Sequence, residues 1–169
     1  MTTITGGGAL IFPFNATEAF KIAVSLEENG YGFYTKAAEK FKGPIAQTFL
    51  GLAKEEEIHK SLFSKILASL PKQNSSVFDP DNETDQYLKM MADLHVFKRG
   101  EVDLDKLLST IETVKDALKM AMNFEKDSVV FFVQLKSASQ TEDDKRAVDS
   151  LVLEEAGHLR KLAAIYNSQ

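Results

Sequence analysis

A short acidic motif that ends in a histidine, Glu-Glu-x-x-His, occurs twice in the 169-residue sequence. The first copy lies within LAKEEEIHKSLF at 52–63, and the second lies within LVLEEAGHLRKL at 151–162. Residues three apart share one face of a helix, so Glu56 is expected beside His59, and Glu155 beside His158. Two such pairs of carboxylate and imidazole, if brought together, would make a site for metal ions.

Two further glutamates, Glu27 and Glu125, interrupt apolar stripes that have helical spacing. The interval from Glu27 to Glu56 is nearly equal to the interval from Glu125 to Glu155, and the apolar neighbours of the glutamates also correspond. This internal repeat predicts two helical hairpins packed about a pseudo-twofold axis. The carboxylates of the two hairpins should then face each other at the centre of a bundle.

A group of buried carboxylates of this kind needs positive charge nearby. Moving one isolated carboxylate into a protein interior costs several kcal/mol, and four together would also repel one another. Two divalent cations would neutralise four carboxylates, and two neutral imidazoles would complete their coordination. Oxygen and imidazole ligands of this kind suit two iron ions, and manganese or mixed occupancy is compatible with the same ligands. The candidate ligands are Glu27, Glu56, His59, Glu125, Glu155 and His158.

The apolar periodicity predicts an all-α fold, a four-helix bundle that occupies residues 1–169 as a single domain. We expect a flexible tail at 1–14, two helices in 15–70, a crossover at 71–112 and two helices in 113–167. The crossover should contain one or two short helices, near 85–97 and 104–111. A connection of this length is needed when the third helix starts at the opposite end of the bundle from where the second finishes.

Residues typical of helix ends support these boundaries. Pro44 follows a glycine and suits the first turn of the second helix. Thr113 with Asp116, and Thr141 with Asp144, have the spacing of capping boxes at the starts of the third and fourth helices.

Composition excludes several classes of site. The chain has 25 acidic and 20 basic residues and a net charge of −5, which argues against a nucleic-acid partner. It has no cysteine, so it contains no disulfide and no rubredoxin-type or iron–sulfur centre. No signal peptide and no membrane-spanning segment is evident, which predicts a cytoplasmic protein without a membrane partner.

The four helical segments resemble those of the rubrerythrin-like branch of the ferritin-like superfamily. The most specific matches are Glu-x-x-Gly-x-x-Phe-Tyr at 27–34 and the two Glu-Glu-x-x-His motifs. The resemblance implies that the six candidate ligands bind iron, with Glu56 and Glu155 bridging the ions. It also implies that Tyr34 forms a hydrogen bond to a ligand carboxylate, that the protein is a homodimer, and that hydrogen peroxide or dioxygen is its oxidant.

Two departures from full-length rubrerythrin alter these expectations. Because the rubredoxin domain is missing, electrons would come from an external donor such as a rubredoxin-type protein. Ser128 occupies the place of an additional glutamate that exchanges with a histidine as iron ligand on redox change, so His59 should stay bound in both redox states. Phe132, which the repeat aligns with Tyr34, should make the surroundings of the metals asymmetric.

The sequence leaves alternatives open. Glu55 and Glu154 lie four residues before the same histidines, so they too could face inward, although their apolar flanks are weaker. Tyr34 could equally be an ordinary core tyrosine. The leading functional hypothesis is a di-iron oxidoreductase that reduces peroxide or dioxygen. The alternatives are a ferroxidase that handles iron, as ferritins do, and a metal-free helical interaction protein.

Overall fold

The computed structural model describes residues 16–70, 86, 90, 103–139 and 141–169, with only the backbone described at 137 and 138. Over these residues the structure is helical and contains no strand, as predicted. The helices are α1 (Ala16–Lys40), α2 (Pro44–Ser69), α3 (Leu104–Ser109), α4 (Val114–Ala138) and α5 (Glu142–Ser168). The predicted tail at 1–14 and most of the predicted short helix at 85–97 lie outside the described residues.

Local sequence explains where these helices begin. Gly43 has φ 77°, a conformation that favours glycine, and Pro44 occupies the first turn of α2. At α4 the Thr113 hydroxyl accepts a hydrogen bond from the backbone of Asp116, whose side chain accepts one from the Thr113 backbone N–H. This confirms the predicted capping box. At α5 the structure shows one of the two hydrogen bonds of the predicted capping box, from the Asp144 backbone N–H to the Thr141 hydroxyl.

The two long hairpins, α1–α2 and α4–α5, pack against each other through α1 with α4 and α2 with α5. The short helix α3 lies against α1, where Lys40 Nζ donates to the carbonyl oxygen of Leu108 at 2.7 Å. No described helix is both long and apolar enough to cross a membrane.

Two apolar clusters fill the bundle, one toward each end. The first includes Phe20, Phe63 and Phe132, and the second includes Phe49 and Phe124. The C-terminal half of α2 belongs to the first cluster, whereas the N-terminal half of α4 belongs to the second. The end of α2 and the start of α4 therefore lie toward opposite ends of the bundle, as the crossover prediction requires.

Buried polar residues separate the two clusters. Along every long helix, apolar residues of one cluster give way to at least one buried glutamate before the other cluster begins. The fold thus places one polar layer, contributed by four helices, in the middle of an otherwise apolar core.

Candidate metal centre

Each long helix contributes one fully buried glutamate to the polar layer, and α2 and α5 each add a buried histidine. All four glutamates have 0% exposure, while the exposures of the two histidines are 1% and 7%. The periodic apolar stripes explain this placement, because each glutamate lies in register with residues that pack into the core. The structure therefore brings together all six predicted ligands: Glu27, Glu56, His59, Glu125, Glu155 and His158.

The six side chains form two overlapping groups, each suited to one metal ion. One group consists of Glu27, Glu56, His59 and Glu155, with ligand atoms that all lie within 4.8 Å of one another. The second group consists of Glu56, Glu125, Glu155 and His158, with the same spread of ligand atoms. Glu56 and Glu155 belong to both groups, so their carboxylates occupy the positions expected of bridging ligands.

Both histidines direct Nδ1 toward the carboxylates. Nδ1 of His59 is 3.7 Å from Glu27 Oε2 and 2.6 Å from Glu155 Oε1. Nδ1 of His158 is 3.6 Å from Glu125 Oε2 and forms a 3.1 Å hydrogen bond with Glu155 Oε2. The same nitrogen of each imidazole therefore faces the space that the carboxylates surround.

Several of these buried polar atoms have no hydrogen-bond partner among the described residues. Both oxygens of Glu27 and of Glu56 lack one, as do Oε2 of Glu125, Oε1 of Glu155 and Nδ1 of His59. The 2.6 Å contact between His59 and Glu155 is close but is not directed as a hydrogen bond. Buried polar atoms without partners are rare and costly in proteins. Oxygen and nitrogen atoms that converge in this way fit a pair of divalent cations in number, charge and type.

The electrostatics of the carboxylates reflect their burial. Burial raises the pKa of Glu27 well above its usual range, and the charges of Glu155 and Glu125 add to this. Burial likewise raises the pKa of Glu125 to about 8, although the contact with His158 opposes it. Glu155 behaves differently: burial acts upward, but its contacts with His158 and His59 lower its pKa overall.

The histidines show the reciprocal effect. Burial by itself would lower the pKa of His59, but the nearby Glu155 carboxylate outweighs it and raises the pKa to about 9. For His158, burial is again outweighed, by Glu125 and Glu155, and the pKa rises to about 10. The cluster of carboxylates therefore stabilises positive charge on the two imidazoles.

Tyr34 is fully buried beside the polar layer, and its hydroxyl donates a hydrogen bond to Glu125 Oε1. Its ring stacks on Phe49 at 6.0 Å between centroids and meets the edge of Phe124 at the same distance. Burial and the Glu125 charge raise the pKa of Tyr34 well above its ordinary value, so the hydroxyl keeps its proton. Tyr34 thus contacts a candidate ligand directly, as the resemblance implied.

Phe132 occupies the position in α4 that corresponds to Tyr34 in α1. It is fully buried and packs on Phe63 with ring centroids 4.8 Å apart. A phenylalanine offers no hydroxyl, and within the described part of the chain neither oxygen of Glu27 has a hydrogen-bond donor. Ser128, one turn after Glu125, is also buried. The two ends of the site are therefore unlike, although the backbone repeats.

Gly30 lies where α1 comes closest to the site and to α4. A Cβ atom at this position would be 2.4 Å from Phe124 Cζ and 2.9 Å from Glu56 Oε2. Both distances are too short for real contacts, so only glycine fits without displacing a neighbour. Glycine lowers helix stability by about 0.5–1 kcal/mol relative to alanine, so Gly30 does not stabilise α1 itself. Gly30 is required because a larger side chain would not fit between α1 and its neighbours.

Glu55 and Glu154 do not join either group of candidate ligands. Their side chains are 43% and 57% exposed, and they approach the outer nitrogens of the histidines. The geometry therefore favours the expected register, with Glu56 and Glu155 facing inward. The contacts of these two outer glutamates with the histidines were not predicted from the sequence, although the doubled glutamate in both motifs was the available signal.

Comparisons with known proteins agree with this architecture. A protein from Thermotoga maritima assigned as a ferritin-like diiron-carboxylate protein has a similar structure, with a TM-score of 0.71 and 27% identity. That match covers 91% of this chain and 95% of the other. A hypothetical protein from Pyrococcus furiosus has the same fold, with a TM-score of 0.65 and 23% identity, covering 94% and 92% of the two chains. No curated protein matches the sequence at a significant level.

The sequence model of the rubrerythrin family matches residues 18–166, which include all four long helices almost entirely. This match agrees with the repeated Glu-Glu-x-x-His motifs and with the buried layer of glutamates and histidines. The chain is a ferritin-like protein of the all-α class, and it belongs to the rubrerythrin family.

Proposed function

We propose that this protein is a non-haem di-iron oxidoreductase that reduces hydrogen peroxide or dioxygen. The observation that carries the proposal is the pair of four-residue groups sharing Glu56 and Glu155, whose carboxylates would hold two adjacent ions in common. Membership of the rubrerythrin family and the similarity to a ferritin-like diiron-carboxylate protein support iron as the metal.

When bound, an iron pair would supply the two electrons that, together with two protons, convert one hydrogen peroxide into two waters. The four glutamates would hold the ions and balance their charge, while Nδ1 of each histidine would complete the coordination. Tyr34 would keep its proton on the hydroxyl and fix one oxygen of Glu125. The apolar clusters on both sides would exclude bulk water from the reacting atoms.

The electrons must be replaced after each turnover. The sequence contains no cysteine, so it has no rubredoxin centre that could relay them. We infer that an external donor, such as a rubredoxin-type protein, reduces the site. The homodimer and the cytoplasmic location stay predictions.

Anaerobic loading with Fe(II) followed by addition of peroxide or dioxygen tests the proposal. We expect about two ions per chain, and a near-ultraviolet ferric absorption that appears on oxidation and disappears when a reductant is added. The iron should stay bound through repeated cycles of peroxide reduction.

Two results would contradict this assignment. Iron that leaves the protein as Fe(III), or that mineralises, would favour a ferroxidase that handles iron. Wild-type protein that takes up no metal would favour the metal-free interaction protein. The same titration with Mn(II) determines whether manganese or mixed occupancy competes with iron.

A further inference from the structure

Ser128 is a buried polar residue of α4 that belongs to neither group of candidate ligands. Its exposure is 1%, and it lies three residues after Glu125, so the two side chains share one face of the helix. A serine inside a helix is less favourable than an alanine, and a hydroxyl gains nothing from apolar burial. Neither helix stability nor apolar packing therefore explains a serine at this position.

The internal repeat locates the side chain of Ser128. Counted from the first glutamate of each hairpin, Ser128 in α4 corresponds to Gly30 in α1. A Cβ atom on Gly30 would lie 2.9 Å from Oε2 of Glu56, one of the two carboxylates shared by both groups. The repeat pairs Glu56 with Glu155, so we expect the side chain of Ser128 to lie beside Glu155.

Ser128 has room that its counterpart in α1 lacks. Gly30 is crowded by Phe124, because the Cζ atom of that ring would be 2.4 Å from an added Cβ. Beside Ser128 the repeat places Leu26, which is fully buried and has a shorter side chain than phenylalanine. The α4 half of this contact between helices can therefore hold a side chain with a hydroxyl, whereas the α1 half accepts only glycine.

The side of the polar layer between α1 and α4 contains no candidate histidine ligand. Both imidazoles come from α2 and α5, whereas α1 and α4 each contribute one glutamate. On the α1–α4 side, Oε2 of Glu56 lies near Gly30 and has no hydrogen-bond partner among the described residues. Iron held by histidine and carboxylate ligands commonly keeps open positions for small molecules. We therefore expect a small ligand to meet the ions on this side.

We propose that Ser128 is a substrate-binding residue whose hydroxyl donates a hydrogen bond to the oxidant between α1 and α4. The ligands that it would accept are small molecules with a lone pair on the outer atom, such as hydrogen peroxide or a linear anion. Tyr34 does not take this role, because its hydroxyl donates to Glu125. The inference rests on the proposed function, since the oxidant would be held there by the metal pair.

The test uses the full-length chain, loaded with Fe(II) and oxidised to the ferric state, with azide as the probe. Azide bound to ferric iron has a visible charge-transfer absorption, so its affinity can be titrated without turnover. The variant is Ser128→Ala, which removes the hydroxyl and places a better helix former in α4. The matched control is Ser139→Ala, which removes another buried hydroxyl, one that donates to the carbonyl oxygen of Leu135 at the end of α4.

Azide should bind about 10–100-fold more weakly to Ser128→Ala than to the wild type, because a hydrogen bond to a charged ligand is lost. The peroxide concentration that half-saturates oxidation of the Fe(II)-loaded protein should rise by about 2–10-fold, since peroxide is neutral. Ser139→Ala should change neither value. The affinity for Mn(II) should be the same in the wild type and both variants, because neither serine belongs to the candidate ligands.

Two results would refute the role of Ser128 and leave the proposed function standing. One is equal azide affinity in Ser128→Ala and in iron-loaded wild type, which would mean that the hydroxyl bonds only within the protein. The other is weaker Mn(II) binding in Ser128→Ala, which would mean that Ser128 supports a ligand carboxylate instead of the oxidant. If the wild-type chain binds neither Fe(II) nor Mn(II), the proposed function and this inference are both refuted.

Discussion

The hydroxyl of Tyr34 donates a hydrogen bond to Oε1 of Glu125, and this bond makes the two ends of a repeated site unequal. At the other end no described residue donates to either oxygen of Glu27, and Phe132 stands where the repeat would place a second tyrosine. Glu125 is thus held in one orientation with Oε2 available for a metal, whereas Glu27 can use both oxygens.

Replacing Tyr34 with phenylalanine should weaken one of the two metal positions. Without the hydroxyl, Glu125 loses the bond that fixes its orientation, so metal binding has to order the side chain as well. We expect about tenfold weaker binding of one ion, measured by titration with Mn(II) and electron paramagnetic resonance. Tyr166→Phe, which removes a hydroxyl outside the polar layer, is the control. Equal affinities in wild type and Tyr34→Phe would show that Tyr34 is an ordinary core residue.

Comparing Glu56→Ala with Glu57→Ala tests which of these two glutamates faces the candidate metal centre. Glu56 is buried and belongs to both groups of candidate ligands, whereas Glu57 is exposed and belongs to neither. Loss of Glu56 should abolish binding of a metal pair, and loss of Glu57 should leave about two ions per chain. Metal content after gel filtration, measured by elemental analysis, decides the question. Equal losses in the two variants would show that the assigned register is wrong.

Much of this architecture follows from local patterns in the sequence. Apolar residues spaced by three and four place Glu27 and Glu125 on the inner faces of their helices, and Thr113 marks the start of α4 by a bond within its own first turn. The repeat then determines which glutamates face each other. These features depend on a single helix or on a symmetry that is visible in the sequence.

Other features depend on distances between helices, which periodicity does not contain. Glu55 has histidines available in two helices, and only the crossing of α2 with α5 selects His158. Gly30 is needed because Phe124, from the other hairpin, occupies the space beside it. Inter-helix distances of this kind depend on the complete core, so helical spacing alone could not predict them.

Metal affinity should rise with pH over the neutral range. The pKa values of Glu125, His59 and His158 are raised to about 8, about 9 and about 10, so each group holds a proton at pH 7 that a metal ion must displace. Apparent affinity should therefore fall as the pH is lowered below about 8, by about tenfold per pH unit for each displaced proton. Mn(II) titrations by calorimetry at several pH values measure the change in affinity with pH. Repeating them in buffers of different ionisation enthalpy gives the number of protons released on binding. Binding that is independent of pH and releases no protons would contradict these shifts.

Gly30→Ala should destabilise the protein, whereas Gly51→Ala should not. A methyl group on Gly30 would overlap Phe124 and press on Glu56, and overpacking of this kind costs about 1–3 kcal/mol. A methyl group on Gly51, also within a helix, would meet nothing within 4 Å and should stabilise the helix by about 0.5–1 kcal/mol. Urea unfolding of both variants without metal gives the two changes in free energy, and Mn(II) titration of Gly30→Ala tests whether Glu56 has moved. If the two variants are equally stable and bind metal equally well, α1 does not approach the site as closely as the packing around Gly30 requires.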